Sequence, residues 1–249
     1  MIDVRALLRE YYDDPLGLLQ ALGGYYYQPP GGKLVGYAGT YEDATGAQKQ
    51  WVGRVYANFA RADRYPLVPY TWAQDMRPLL IVKELGINVF LGAPEGGKSF
   101  ADKLALVSEV PAFVFPDVEK VLVPGVAKPK KKFVFERHEL EPDLRVAWTE
   151  DAANNFSTSD AMIDLILQAK CTPVAMFAIL NRSPTVGKVY KSPRHGIEIP
   201  VFARLYKPMP EYKQDDPEVA DDIANGRIEF VPRKPENWAA LQQDMAAAA

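Results

Sequence analysis

Val146-Ala147-Trp148-Thr149-Glu150-Asp151-Ala152-Ala153-Asn154-Asn155-Phe156-Ser157-Thr158 decides how this chain is read. It scans as a buried strand ending at Thr149, two adjacent acids, a tight turn of small and polar residues, and a helix from Ser157 to about Gln168. Open α/β sheets bind ligands just beyond the carboxyl ends of their strands, which is where Glu150 and Asp151 fall. The turn's amides and the start of the helix present N–H groups to an anion, a ready phosphate site. Paired carboxylates suit ribose hydroxyls or hydrated Mg²⁺, a cation that takes oxygen ligands. Acids and an anion site in one short segment point to phosphorylated-ribose chemistry.

From Val146 to Thr158 the segment resembles the phosphoribosyl-diphosphate (PRPP) motif of type I phosphoribosyltransferases: apolar residues, two acids, two small apolar residues, and a Thr/Gly-rich turn ending in Thr or Ser. The turn departs from the family's Thr-Thr-Gly-Gly. Asn154 or Asn155, which tolerate left-handed backbone, are expected to supply the lost glycine freedom, and Phe156 is not. The resemblance implies that Glu150 and Asp151 hold the ribose hydroxyls, directly or through Mg²⁺. It implies that Asn154, Asn155, Phe156, Ser157 and Thr158 cradle the 5-phosphate.

A second motif lies upstream. Gly92-Ala93-Pro94-Glu95-Gly96-Gly97-Lys98-Ser99 matches the Walker A pattern G-x-x-x-x-G-K-[ST], after an apolar strand (87–91) and before a helical stretch (99–108). Glu150 and Asp151 then pose as a Walker B pair. Against that, a Walker A normally sits on its domain's first strand, and here a long N-terminal segment precedes it. In the orotate branch of the phosphoribosyltransferases a similar strand, glycine-bearing loop and helix hold pyrophosphate. That resemblance assigns Ala93, Pro94, Glu95, Gly96, Gly97 and Lys98 to pyrophosphate. Both readings aim backbone N–H groups at phosphates.

Between the motifs the order again resembles the orotate enzymes. A strand over 111–115 and another over 133–137 flank a basic stretch ending in Lys128-Pro129-Lys130-Lys131-Lys132. Pro and Gly resist regular structure and clustered lysines repel one another, so roughly 119–131 is expected to be a mobile loop that closes over pyrophosphate. Lys120 falls where the family's catalytic loop lysines do. Downstream, Pro173-Val174-Ala175-Met176-Phe177-Ala178-Ile179-Leu180 is an uninterrupted apolar run, the signature of a strand buried on both faces. It leads to Arg182, which the resemblance sets against the base. A guanidinium fork suits a planar carboxylate, and a strand-end arginine equally suits a nearby acid. A late strand over 198–205 completes the likeness.

The rest bounds the answer. The chain has 249 residues, 48% apolar and 24% charged, with a net charge of −3, an ordinary globular balance without the basic face of a nucleic-acid binder. One cysteine, Cys171, and two histidines, His138 and His195, far apart, offer no disulfide and no Cys/His metal site. No apolar run reaches the ~18 residues of a membrane span, so no membrane partner and a cytoplasmic location are expected. Residues 1–74 read as an N-terminal helix and hood strands (34–41 and 51–56), 75–206 as a phosphoribosyltransferase-like core, and 207–249 as an extension, all in one compact unit. The hood lacks the orotate branch's Lys-Ser-Gly element.

The expected fold is α/β, a mostly parallel central sheet flanked by helices. The resemblance implies transfer of ribose 5-phosphate from PRPP to a nitrogenous base, orotate or another pyrimidine first, by an Mg²⁺-dependent homodimer. The alternatives are a P-loop hydrolase or kinase built on Gly92–Ser99, and a non-catalytic PRPP or nucleotide sensor of the same fold.

Overall fold

The structure, a computed structural model, describes residues 2–121 and 130–248. The chain divides into two compact units, residues 1–64 with 209–249 and residues 65–208. That division differs from the single unit with a separate C-terminal extension expected from sequence, because the tail packs back onto the N-terminal elements.

The first unit opens with helices α1 (Val4–Glu10) and α2 (Pro15–Ala21), strands β1 (Tyr25–Tyr27), β2 (Leu34–Glu42), β3 (Gln48–Gly53) and β4 (Val55–Ala57), and the short helix α3 (Ala60–Asp63). Asp3 starts α1 by accepting the amides of Arg5 and Ala6, satisfying donors that a helix leaves open. β2 and β3 form the expected hairpin, its turn closed by Asp43, which accepts the Thr45 and Ala47 amides.

The second unit carries helices α4 (Leu67–Asp75) and α5 (Pro78–Leu85), strand β5 (Val89–Gly92), helix α6 (Gly97–Ser108), and strands β6 (Ala112–Val114), β7 (Asp117–Val121), β8 (Lys130–Val134) and β9 (Arg145–Ala153). Helix α7 (Ser157–Gln168) and strands β10 (Thr172–Asn181), β11 (Val189–Lys191) and β12 (Glu198–Tyr206) complete it. The tail returns to the first unit as α8 (Ala220–Ala224), β13 (Ile228–Glu229) and α9 (Pro235–Ala247). Here β13 runs parallel to β2 and extends the hairpin to three strands.

The central sheet has the order β11-β12-β10-β9-β5-β6. Its neighbours from β12 to β6 are parallel, and only β11 is antiparallel. Buried parallel strands need apolar side chains on both faces, and β10 supplies them, buried from Pro173 to Asn181. Helix α7 covers one face, its Met162, Ile163 and Ile166 packed in one core with Val146, Trp148 and Met176. On the other side α4 packs on α6, and α6 lies on β5 and β9. The chain passes from β5 to β6 on one side, then crosses to β9 on the other, so the strand order reverses between β5 and β9. Ligands of open α/β sheets bind at such a reversal, outside the carboxyl ends of the strands.

β7 and β8 pair antiparallel as a separate ribbon, with Lys120 opposite Lys131. The ends of the expected 119–131 loop are therefore strands. Its middle, 122–129, lies outside the described residues, as does the Lys120 side chain. No helix among the described residues is long and apolar enough to cross a membrane.

Trp238 ties the tail to the first unit. It is 2% exposed, and its Nε1–H donates to Gly23 O at 2.9 Å. Removing a buried Trp leaves a cavity and an unpaired carbonyl, so Trp238→Ala should lower the unfolding free energy by about 3–5 kcal/mol in chemical denaturation. A loss under about 1 kcal/mol would mean that the tail does not stabilise this unit.

Candidate functional site

Two segments far apart in sequence meet where the strand order reverses. β5 ends at Gly92, paired with Thr149, and β9 continues past it to Ala153 alongside β10. Glu150 and Asp151 are thus the first residues of β9 beyond the end of β5. The residue pattern predicts that this strand ends at Thr149. It runs on because β10 still supplies backbone partners, with Ala178 opposite Glu150 and Asn181 opposite Ala153.

The loop after β5 folds over that edge. Ala93 N–H donates to Thr149 O at 2.9 Å, and Thr149 Oγ1–H donates to Gly97 O at 2.7 Å. The approach leaves no room for side chains. A Cβ on Gly97 would lie 2.1 Å from Thr149 O, and one on Gly96 would lie 2.1 Å from the Asp151 carboxylate. The two consecutive glycines are required by this contact. The Gly97 amide donates back to Ala93 O at 2.9 Å, so the amides of Ala93 and Gly97 are already used. Those of Glu95 and Gly96 make no backbone hydrogen bond among the described residues.

Pro94 is half-buried and Glu95 exposed at the tip of the loop. Lys98, near the start of α6, pairs its Nζ with Glu95 Oε2 at 2.9 Å and lies 4.7 Å from the centroid of the Phe115 ring.

Alternation along β9 sends the two acids to opposite faces of the sheet. Asp151 faces the glycine loop. Glu150 faces α7, with Ser159 Oγ 3.5 Å from its Oε1. Both residues keep partial exposure. Burial, reinforced by repulsion from Asp151, pushes the Glu150 carboxyl up to about 8, and burial raises Asp151 as well. Acids held this way gain from any cation or hydroxyl donor placed against them.

The anion turn lies one step further along the chain. Asn154 is half-buried, and Asn155 is exposed with its Oδ1 accepting the Ser157 amide at 3.1 Å. Ser157 and Thr158 open α7 as expected. The left-handed position is not at either asparagine, as expected from sequence, but at Phe156, with φ 57° and ψ 20°. Phe156 is 3% exposed, and its packing against Tyr190 offsets the steric cost that a bulky residue meets there.

Arg182 is buried at the end of β10, its amide donating to Ala153 O at 2.8 Å. The glycine loop, the Asn154–Thr158 turn and Arg182 follow the carboxyl ends of β5, β9 and β10, and the two acids lie within β9 near its end. Thr149, Ser159 and Tyr190 escaped the sequence reading, since each acts through a partner that only the sheet register reveals.

The raised Glu150 carboxyl has a consequence for stability. Its proton affinity is higher folded than unfolded, so its contribution is complete below its ordinary value of 4.5 and lost as pH rises towards about 8. Glu150→Gln removes this term. The mutant's stability relative to the parent should therefore climb between pH 5 and pH 8, at a limiting slope of about 1.4 kcal/mol per pH unit. Urea denaturation of both proteins across that range measures it. A pH-independent difference would mean that Glu150 is solvated like a surface acid.

No protein-family model and no curated protein matches the chain. Among solved structures it is similar to UMP synthase of Leishmania donovani, at 12% identity and TM-score 0.47, over 94% of this chain and 41% of that one. It is similar to orotate phosphoribosyltransferase of Mycobacterium tuberculosis H37Rv, at 13% identity and TM-score 0.46, over 78% and 96% of the two chains. It is also similar to adenine phosphoribosyltransferase of Saccharomyces cerevisiae, at 16% identity and TM-score 0.46, over 67% and 93%.

Proposed function

We propose that the protein is a PRPP-dependent phosphoribosyltransferase, joining ribose 5-phosphate to a nitrogenous base with release of pyrophosphate. One observation carries the reading: Asp151 and the glycine loop meet where the strand order reverses, with Glu150 beside them on the other face of β9 and the phosphate-type turn directly after that strand. In this reading the 154–158 turn takes the 5-phosphate, and Glu150 and Asp151 take the ribose hydroxyls. The Ala93–Lys98 loop takes pyrophosphate through the Glu95 and Gly96 amides.

Nitrogen of the base attacks the anomeric carbon from the face opposite the leaving group, with inversion, and the proton it carried passes to solvent. The C–O bond electrons leave with pyrophosphate. The transition state is oxocarbenium-like and asks for geometry and charge compensation, not for a protein nucleophile. Lys120, on the β7–β8 ribbon, is proposed to neutralise the leaving group, and Arg182 to face the base. The resemblance favours orotate or another pyrimidine as acceptor, and a cytoplasmic homodimer as the working form.

Asp151, on the face of the glycine loop, fits Mg²⁺ as an oxygen donor, and Glu150, on the other face of β9, would act on it only through water or the ribose hydroxyls. No group of three or more His, Cys, Asp or Glu gathers among the described residues, so water and PRPP oxygens would complete the shell, as this ion prefers. When bound, Mg²⁺ would supply charge neutralisation for pyrophosphate and orientation of the ribose.

The Walker A-like run favours a second reading, a P-loop enzyme. Against it, Lys98 turns back to Glu95, and the amides of Ala93, Gly97 and Lys98 already donate to backbone carbonyls.

Calorimetric titration separates these. PRPP with Mg²⁺ should bind more tightly than ATP with Mg²⁺, and Gly96→Ala, which displaces the Asp151 carboxylate, should weaken PRPP at least about tenfold. Gly187→Ala, whose Cβ meets nothing within 4 Å, should leave it unchanged. Tighter ATP binding that disappears in Lys98→Ala would establish the P-loop instead. PRPP binding without pyrophosphate release for any base offered would identify a sensor.

A further inference from the structure

Phe156 adopts backbone angles that favour glycine at the N-cap of α7, where its own side chain makes no capping hydrogen bond and Asn155 Oδ1 takes the Ser157 amide. Something has to hold a bulky residue there. Its ring lies nearly parallel to Tyr190, with centroids 4.9 Å apart and 18° between the planes. Tyr190 is itself anchored. Its hydroxyl donates to Asp160 Oδ1 at 2.8 Å, and Ser192 Oγ–H donates to the same oxygen at 2.7 Å. The backbone of Tyr190 is registered against Ile199 of β12. Asp160 lies in the first turn of α7, where the helix dipole favours an anion.

The contacts close a circuit: helix start, Asp160, Tyr190, Phe156, and back to the helix start. Burial, and then the bond to Asp160, raises the phenol's proton affinity, so it remains a donor well above neutral pH.

We propose that Tyr190 is the positioning residue of the anion-binding turn, holding Phe156 so that residues 154–158 stand ready for the terminal phosphate of a phosphorylated sugar. This rests on the reading of that turn as the 5-phosphate cradle. A glycine at 156 would reach the left-handed conformation unaided but would also leave it freely. The aromatic pair replaces that freedom with packing, and the turn is set before any ligand arrives. Tyr190 acts through Phe156 and does not touch the phosphate.

The test is ribose 5-phosphate binding by calorimetry in the parent, Tyr190→Phe, Tyr190→Leu, Phe156→Gly and Phe156→Gly/Tyr190→Leu, with circular dichroism as a check on folding. Tyr190→Leu should weaken binding about tenfold, the population factor set by one unsupported left-handed residue. Tyr190→Phe keeps the ring and should lose less than about threefold. In the Phe156→Gly background the Leu substitution should matter less than about twofold, because no bulky residue remains to be held. If Tyr190→Leu folds poorly, Tyr190→Met fills the space without a ring and carries the same expectation. A merely structural tyrosine would cost as much in both backgrounds, so equal losses in both, or none in either, overturn the proposal. A parent protein that does not bind ribose 5-phosphate would remove the cradle reading itself, and this inference with it.

Discussion

The site depends on one close contact, the seating of Gly96 and Gly97 on the end of β9. Two hydrogen bonds fix it, Ala93 N–H to Thr149 O and Thr149 Oγ1–H to Gly97 O. The absence of two Cβ atoms permits it. The loop after β5 and Asp151 of the neighbouring strand become one surface only because backbone approaches backbone this closely. Thr149 is the hinge of the arrangement. Its side chain serves the loop, and its position in the strand sets which faces Glu150 and Asp151 occupy.

The same contact explains the electrostatics. Glu150 and Asp151 are adjacent on a strand enclosed by a loop on one side and a helix on the other, so both lose water and both resist ionisation. Such acids are poor surface groups and good receivers for a cation or a row of hydroxyls. The apolar strand β10 and the α7 face carry the burial that stabilises this unit.

Much of this was legible in the chain. α7 begins at Ser157 and ends at Gln168 as its sequence suggests, and the Pro173–Leu180 run is a buried strand because nothing else accommodates so many consecutive apolar residues. The parallel sheet follows from alternating strands and helices. Phe156 was legible only by half. Its turn could be located, but its left-handed backbone depends on Tyr190, a partner remote in sequence on a three-residue strand too short to show a period. The extension of β9 past Thr149 depends likewise on the register of β10. The return of the tail to the first unit hangs on Trp238 meeting Gly23, a contact that no local pattern announces. Helices α2 to α5 and α9 carry no clear signal in the sequence, since α2 and α3 are too short to show a period and Pro stands in or beside α2, α4, α5 and α9.

Hydrogen exchange of the free protein and of the protein saturated with PRPP and Mg²⁺ tests the central claim most directly. If the reversal between β5 and β9 is the binding crevice, the amides of Glu95 and Gly96 and those of the 154–158 turn should gain protection together, since one ligand spans both. Protection confined to the 92–99 segment, or appearing only with ATP, would contradict the account.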